Sequence, residues 1–225
     1  MKFDNKDLIL FDLDGTLIDS APDLAYAVNR MLETFGLQSY DLETIHHWVG
    51  NGAQMLVKRA LLGKRDVEDE SIDSGLFEKA LSAFMAYYRE HLCEETYAYE
   101  GVPETLARLK AEGYTLAIVT NKPYGFVSPI LEKLSLSEPF DYTVGGDSLP
   151  LKKPDPSPLL HVCNTLGYGV GETVMVGDSK NDILAANACG MDSVGVTYGY
   201  NYGEDIRVHQ PTVVIDNFKE LLNIL

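Results

Sequence analysis

Positive charge is scarce in this chain of 225 residues. It has 18 lysines and arginines against 34 aspartates and glutamates, a formal charge of -16. That balance excludes the basic patches that recruit nucleic acid or anionic membrane surfaces. Cysteine is also scarce: Cys93, Cys163 and Cys189 are widely spaced and form no Cys-x-x-Cys pair. An odd, unpatterned set argues against a disulfide framework and fits a reducing cytosol. No apolar run approaches membrane-spanning length, and Met1 to Asp7 carry no signal-peptide apolar core. The expectation is a cytoplasmic protein. His46 and His47 are adjacent but have no further histidine or cysteine nearby, so they read as helix surface rather than a zinc site.

Short, unbroken apolar runs are present, as in fully buried strands. Leu8-Ile9-Leu10 leads into Phe11-Asp12-Leu13-Asp14-Gly15-Thr16-Leu17. Asp12 and Asp14 project toward one side of an extended chain. Crowded carboxylates both stay ionised only beside a cation, unless one holds a proton. Asp12 therefore suits a nucleophile beside a hard, oxygen-liganded cation such as Mg²⁺. Asp14 suits a general acid and base. Gly15 lets the backbone turn sharply, and Thr16 can bond back into the turn. A lone Asp-x-Asp would read as helix capping, but the whole string after a buried strand is more specific.

Three later segments bear on the same reading. A strand expected over Tyr114 to Thr120 ends in Thr120 and Asn121, which on their own also fit a strand end capping the next helix. Lys152-Lys153-Pro154 would ordinarily be solvated surface. Val174-Met175-Val176-Gly177 ends in Asp178, with Asp182 four residues on, where a helix N-terminus also favours carboxylates.

Together these strings resemble, in order, the motifs of the haloacid dehalogenase superfamily, in its aspartate-based phosphatase branch. The resemblance covers essentially the whole chain. It implies that Thr120 and Lys153 contact the transferring phosphoryl group, with Asn121 as an added donor and Lys152 an exposed neighbour. It implies Mg²⁺ held by the Asp12 side chain, the Asp14 backbone carbonyl and Asp178. Asp182 would stand behind them, orienting a metal water or the lysine. Asp14 argues against carbon–halogen chemistry, since dehalogenases generally lack that second aspartate.

Strand and helix alternate from Gly101 onward, implying an α/β fold: a Rossmann-like doubly wound parallel sheet. Between the first and second motifs the chain reads as helices instead. Helices are expected after Ser20 (a possible cap) to Phe35, over Asp41 to Val49, Ala53 to Leu62 and Leu76 to Leu92, with a polar, mobile connector from Lys64 to Gly75. The expected division is a core of residues 1–18 plus 98–225 and a helical cap of 19–97. The family places a mobile cap there, with hinges at Asp19 to Pro22 and Tyr97 to Val102.

Trp48 to Leu61 resembles the cap of bacterial phosphoglycolate phosphatases. A Gly50-Asn51-Gly52 turn opening a helix exposes free N–H groups suited to a small carboxylate. Lys58 or Arg59 would add charge, or the turn merely joins two cap helices with both cations solvated. The expectation is a Mg²⁺-dependent hydrolase of 2-phosphoglycolate acting through an aspartyl phosphate. Another small phosphate ester, pyrophosphate, or a β-phosphoglucomutase-like transfer remain alternatives. The partner is a small-molecule phosphate ester, and the protein a monomer or homodimer.

Overall fold

A computed structural model describes residues 3–67 and 71–225. The first run forms β1 (Leu8–Phe11), and a two-residue strand β2 (Ile18–Asp19) follows the Asp12–Leu17 turn. Four helices come next: α1 (Ala21–Thr34), α2 (Leu42–His46), α3 (Ala53–Leu62) and α4 (Ser74–Glu90). Strand β3 (Tyr97–Ala98) returns the chain. Then alternate α5 (Val102–Ala111), β4 (Thr115–Val119), α6 (Tyr124–Lys133), β5 (Tyr142–Val144), α7 (Ser157–Leu166), β6 (Thr173–Gly177), α8 (Lys180–Cys189), β7 (Asp192–Val196), β8 (Val213–Ile215) and α9 (Leu221–Ile224).

The long strands form one parallel sheet in the order β5-β4-β1-β6-β7-β8. The doubly wound α/β fold expected from the alternation is therefore present. Strand β1 is wholly buried because both faces are covered. Ile9 and Phe11 pack on one face with Leu106, Leu109 and Ile130, while Leu8 and Leu10 pack on the other with Leu159, Val162 and Ala185. The first cluster runs on through Leu13 and Leu17 into Val28 and Met31 of α1, so helical segment and sheet share apolar contacts.

Element ends differ from expectation where side chains cap them. Asp41 accepts the Thr44 N–H and starts α2 at Leu42. Asp73 caps α4, which begins at Ser74 rather than Leu76. Helix α8 begins at Lys180, where Asp182 takes the Ser179 N–H and hydroxyl. The expected connector Lys64 to Gly75 thus loses its last two residues to α4, and 68–70 lie outside the described residues. The sequence reading has no counterpart for β2 and β3, which pair antiparallel as Ile18 with Ala98 and Asp19 with Tyr97. Two residues each are too few to show a period.

Both chain crossings are pinned. The buried Asp23 carboxylate accepts the Glu94, Glu95 and Thr96 N–H groups at 2.9–3.0 Å. The Tyr200 hydroxyl accepts from the Ser20 N–H (2.9 Å) and donates to Asp19.

Candidate active site

In an open α/β sheet ligands bind beyond the carboxyl ends of the strands, where strand order reverses. Here that point is β1, with β4 on one side and β6 on the other. Asp12 directly follows β1 and continues its ladder, donating its N–H to Val176 O at 2.9 Å. Thr120 directly follows β4, and Asp178 directly follows β6.

The turn after Asp12 is built around Gly15, whose φ is +87°, and a Cβ there would collide with the Asp178 carboxylate. Glycine at this position is thus a requirement of both backbone and space. Thr16 bonds back into its own turn only through its N–H, to Leu13 O at 3.3 Å. Its hydroxyl donates 2.9 Å to Asp178 Oδ1, while the Tyr200 N–H donates 2.7 Å to Oδ2.

One oxygen each of Asp12, Asp178 and Asp182 lies within 4.8 Å of the others. Lys153, fully buried, donates 2.6 Å to Asp182 Oδ1 and stands 3.0 Å from Asp12 Oδ1. That second contact is an ion pair without hydrogen-bond alignment, because Asp12 Oδ1 is a buried oxygen with no hydrogen-bond partner. Burial, with help from the Asp182 and Asp14 charges, raises the Asp12 carboxyl to about 6 despite Lys153. Burial, then Asp182 and Asp12, raise Asp178 to about 8. Burial works to lower the Lys153 ammonium, but Asp12 and Asp182 outweigh it and leave the net shift upward.

Asp14 is held separately. Ser20 Oγ donates to it at 2.5 Å, and Lys122 Nζ lies 2.9 and 3.2 Å from its two oxygens. Ser20 therefore does not cap α1, the role its position suggests; no side-chain cap bond forms there. Lys122 also donates 2.7 Å to the Tyr88 hydroxyl of α4. Burial lowers the Lys122 ammonium, but Asp14 and Tyr88 raise it further, so it stays charged.

A divalent cation fits this set. Taken as ionised, Asp12, Asp14, Asp178 and Asp182 pair, among the described residues, only with Lys122 and Lys153, two charges short of neutrality. Asp12, one member of the triad, has an oxygen that accepts no aligned hydrogen bond, and carboxylates are the donors a hard cation takes.

Of the other expected residues, Thr120 lines the cleft beside Asp12 and Asp14. Its hydroxyl accepts the Lys122 N–H at 3.2 Å, leaving its own hydrogen to donate. Asn121 Nδ2 donates to Gly50 O (3.2 Å) and Lys153 O (2.9 Å), so its donors are engaged by carbonyls. Gly50 and Gly52 line the same cleft; Asn51, Lys58 and Arg59 do not.

Arg59 is 3% exposed. It donates to Trp48 O (2.6 Å), Asn51 Oδ1 (2.8 Å) and Arg65 O (2.8 Å), and stacks over the Tyr202 ring. The turn it ties faces the loops at the carboxyl end of the sheet through its carbonyls. Gly50 O also accepts from Asn181, and Asn51 O accepts from Lys152 at 2.6 Å. Lys152 is thus a bridge across the seam rather than an exposed neighbour. A Cβ at Gly50 would strike the Tyr202 hydroxyl, and one at Gly52 the Asn121 carbonyl. His46 also packs inward, edge-on against Tyr200, with ring centroids 4.4 Å apart.

Sequence reasoning missed Lys122, Ser20 and Tyr88. Lys122 had a signal: like Lys153 it precedes a proline at a strand-end loop. Tyr88 had none, being one apolar position in an amphipathic helix.

The parallel sheet and this strand-end site define the class, and the chain belongs to the haloacid dehalogenase-like hydrolases, whose family model matches residues 9–196. Within that class it is a phosphatase resembling phosphoglycolate phosphatases. The phosphoglycolate phosphatase of Colwellia psychrerythraea is 52% identical over 222 residues, covering 99% of this chain and 98% of that protein. That of Psychrobacter arcticus is 49% identical, covering 98% and 96%. The crystal structure of a predicted phosphoglycolate phosphatase from Haemophilus somnus matches with a TM-score of 0.92 at 40% identity, covering 98% of both chains. No helix among the described residues is long and apolar enough to cross a membrane.

Proposed function

We propose that the chain hydrolyses 2-phosphoglycolate to glycolate and phosphate in two steps, with Mg²⁺ as cofactor. Asp12 attacks phosphorus in line, forming an aspartyl phosphate while the P–O bond to the alcohol breaks. Asp14 gives its proton to the departing alkoxide, then takes one from the water that attacks the intermediate. Thr120 donates its free hydroxyl hydrogen to a phosphoryl oxygen. Lys153 neutralises charge on Asp12 and the phosphoryl group, and Asp182 holds the lysine in place. Asp12, the Asp14 backbone carbonyl and Asp178 would hold Mg²⁺, which when bound supplies charge neutralisation to the carboxylates and the phosphoryl oxygens.

The observation that carries this reading is the meeting of Asp12, Thr120 and Asp178 from three adjacent strand ends, with Lys153 between Asp12 and Asp182. Support for the substrate comes from the relatives' names and their near full-length match.

The helical segment, 19–97, would act as a cap on a core of 1–18 plus 98–225, closing to exclude water during the first attack and opening to release product. The test is phosphate release from 2-phosphoglycolate, sugar phosphates, nucleotides, pyrophosphate and β-glucose 1-phosphate, with Mg²⁺ or EDTA. The expected result is Mg²⁺-dependent preference for 2-phosphoglycolate. Flat activity across the panel would reject the substrate, and full activity in EDTA would reject the cofactor.

A further inference from the structure

The cleft above Asp12 and Asp14 is walled mainly by apolar side chains, among them Leu24, Val49, Leu56, Phe84 and Phe126. An anion placed there without a partner would bear a desolvation cost that nothing in the wall offsets. Among the described residues that line the cleft, Lys122 carries the only positive charge. Arg59 and the Gly50–Asn51 carbonyls are engaged in the seam described above.

Two buried donors converge beside Asp14. Lys122 donates to both Asp14 oxygens and to the Tyr88 hydroxyl, so its positive charge is fixed between Asp14 and Tyr88. Tyr88, 1% exposed, accepts from Lys122, and among the described residues no acceptor takes its own hydrogen. Burial raises the Tyr88 phenol to about 12, so it remains a neutral donor. A carboxylate takes two donors at once, and Asp14 marks where the alcohol oxygen leaves.

We propose that Lys122 and Tyr88 together form the subsite for the carboxylate of the leaving alcohol, and so set substrate specificity. This rests on the function proposed above. In 2-phosphoglycolate one methylene separates the bridging oxygen from the carboxylate, a reach that matches a cation in direct contact with Asp14. Lys122 comes from the loop after β4 and Tyr88 from α4, so the carboxylate bridges sheet domain and helical segment. The remaining apolar wall offers no partners for a polyhydroxy sugar.

The test compares kcat/KM for 2-phosphoglycolate and for 2-hydroxyethyl phosphate, the same ester with a neutral alcohol in place of the carboxylate. Wild type, Lys122→Met and Tyr88→Phe are measured, with circular dichroism to check folding. The wild type is expected to favour the carboxylate ester. Lys122→Met should shrink that preference about 10- to 100-fold, the worth of one hydrogen bond between charged groups. Tyr88→Phe, which keeps the buried ring and carries the test if the lysine variant fails to fold, should shrink it about 3- to 10-fold, mainly through KM for 2-phosphoglycolate.

Loss of activity on both esters in proportion would show that Lys122 acts only by positioning Asp14, and would overturn the proposal. Retained preference in both variants would overturn it while leaving the function intact. A wild type that does not distinguish the esters would overturn the function and this subsite with it.

Discussion

The strand ends and the helical seam contain the same kinds of residue, yet only the strand ends were readable in advance. Asp12, Thr120 and Asp178 meet because β1, β4 and β6 are parallel neighbours, and Lys153 joins them from the loop after β5. Asp12 Oδ1 accepts no aligned hydrogen bond there and keeps only its ion pair with Lys153. Gly50, Asn51 and Arg59 are equally polar and equally motif-like. Their polar atoms instead bond one another and the loops carrying Asn121, Lys152 and Tyr202. A polar residue at a strand end is aimed by the sheet, and the sheet is legible as apolar runs. A polar residue on a helical insertion is aimed by its partner across the seam, which lies up to 151 positions away, as Tyr202 does from Asn51.

The same distinction explains the smaller misreadings. Ser20 sits where a cap residue belongs, and its hydroxyl goes to Asp14 because the β2–β3 pairing turns that corner inward. Thr16 looked local but serves Asp178, a residue 162 positions on. Nothing local marks Lys122 as buried, since its partners Asp14 and Tyr88 lie 108 and 34 positions away. The alternation that gives the parallel sheet, and the order of the motifs, needed no such long-range information.

The sharpest break between the two regions is Asp12→Asn. It removes the nucleophile and leaves the shape, so turnover should fall at least about 10³-fold with the fold intact. Phosphate release assays with circular dichroism check this, and substantial remaining turnover would rule out covalent catalysis. Lys153→Met should come next, lowering kcat about 10²- to 10³-fold, the range for losing one preorganised electrostatic contact. It also strands Asp12 and Asp182, so unfolding in urea should show a loss of about 3 kcal/mol. A kcat within a few-fold of wild type would mean that the lysine is only structural.

Arg59→Met tests the seam. If the guanidinium ties the turn rather than the substrate, stability should drop about 2–4 kcal/mol as the Trp48, Asn51 and Arg65 acceptors lose their donor. Turnover should fall about 10-fold or less, with kcat and KM moving together as expected for a displaced closing element. The preference for 2-phosphoglycolate over 2-hydroxyethyl phosphate should be unchanged. A rise in KM confined to the carboxylate ester would return Arg59 to the substrate and erase the contrast between the two regions.

The mildest probe needs no turnover, because the strand-end charges can be read in the stability of the metal-free protein. Asp12 at about 6 and Asp178 at about 8 are both raised by burial above the ordinary carboxylate value near 4. Between those limits the folded protein holds protons that the unfolded chain has released, so stability falls as pH rises. The favourable contribution is complete below about pH 4 and is lost through about pH 6 for Asp12 and about pH 8 for Asp178. In EDTA, Tm should therefore decline from pH 5.5 to pH 8. Mg²⁺ should restore it at pH 8, where the carboxylates are ionised and repel, and do little at pH 5.5, where binding must first displace protons. Asp178→Asn should flatten the decline and remove most of the Mg²⁺ effect, whereas Arg59→Met should lower Tm at every pH and leave both intact. A flat or rising EDTA profile, or an equal Mg²⁺ effect at the two pH values, would mean that the buried triad is neutralised within the protein and needs no divalent cation.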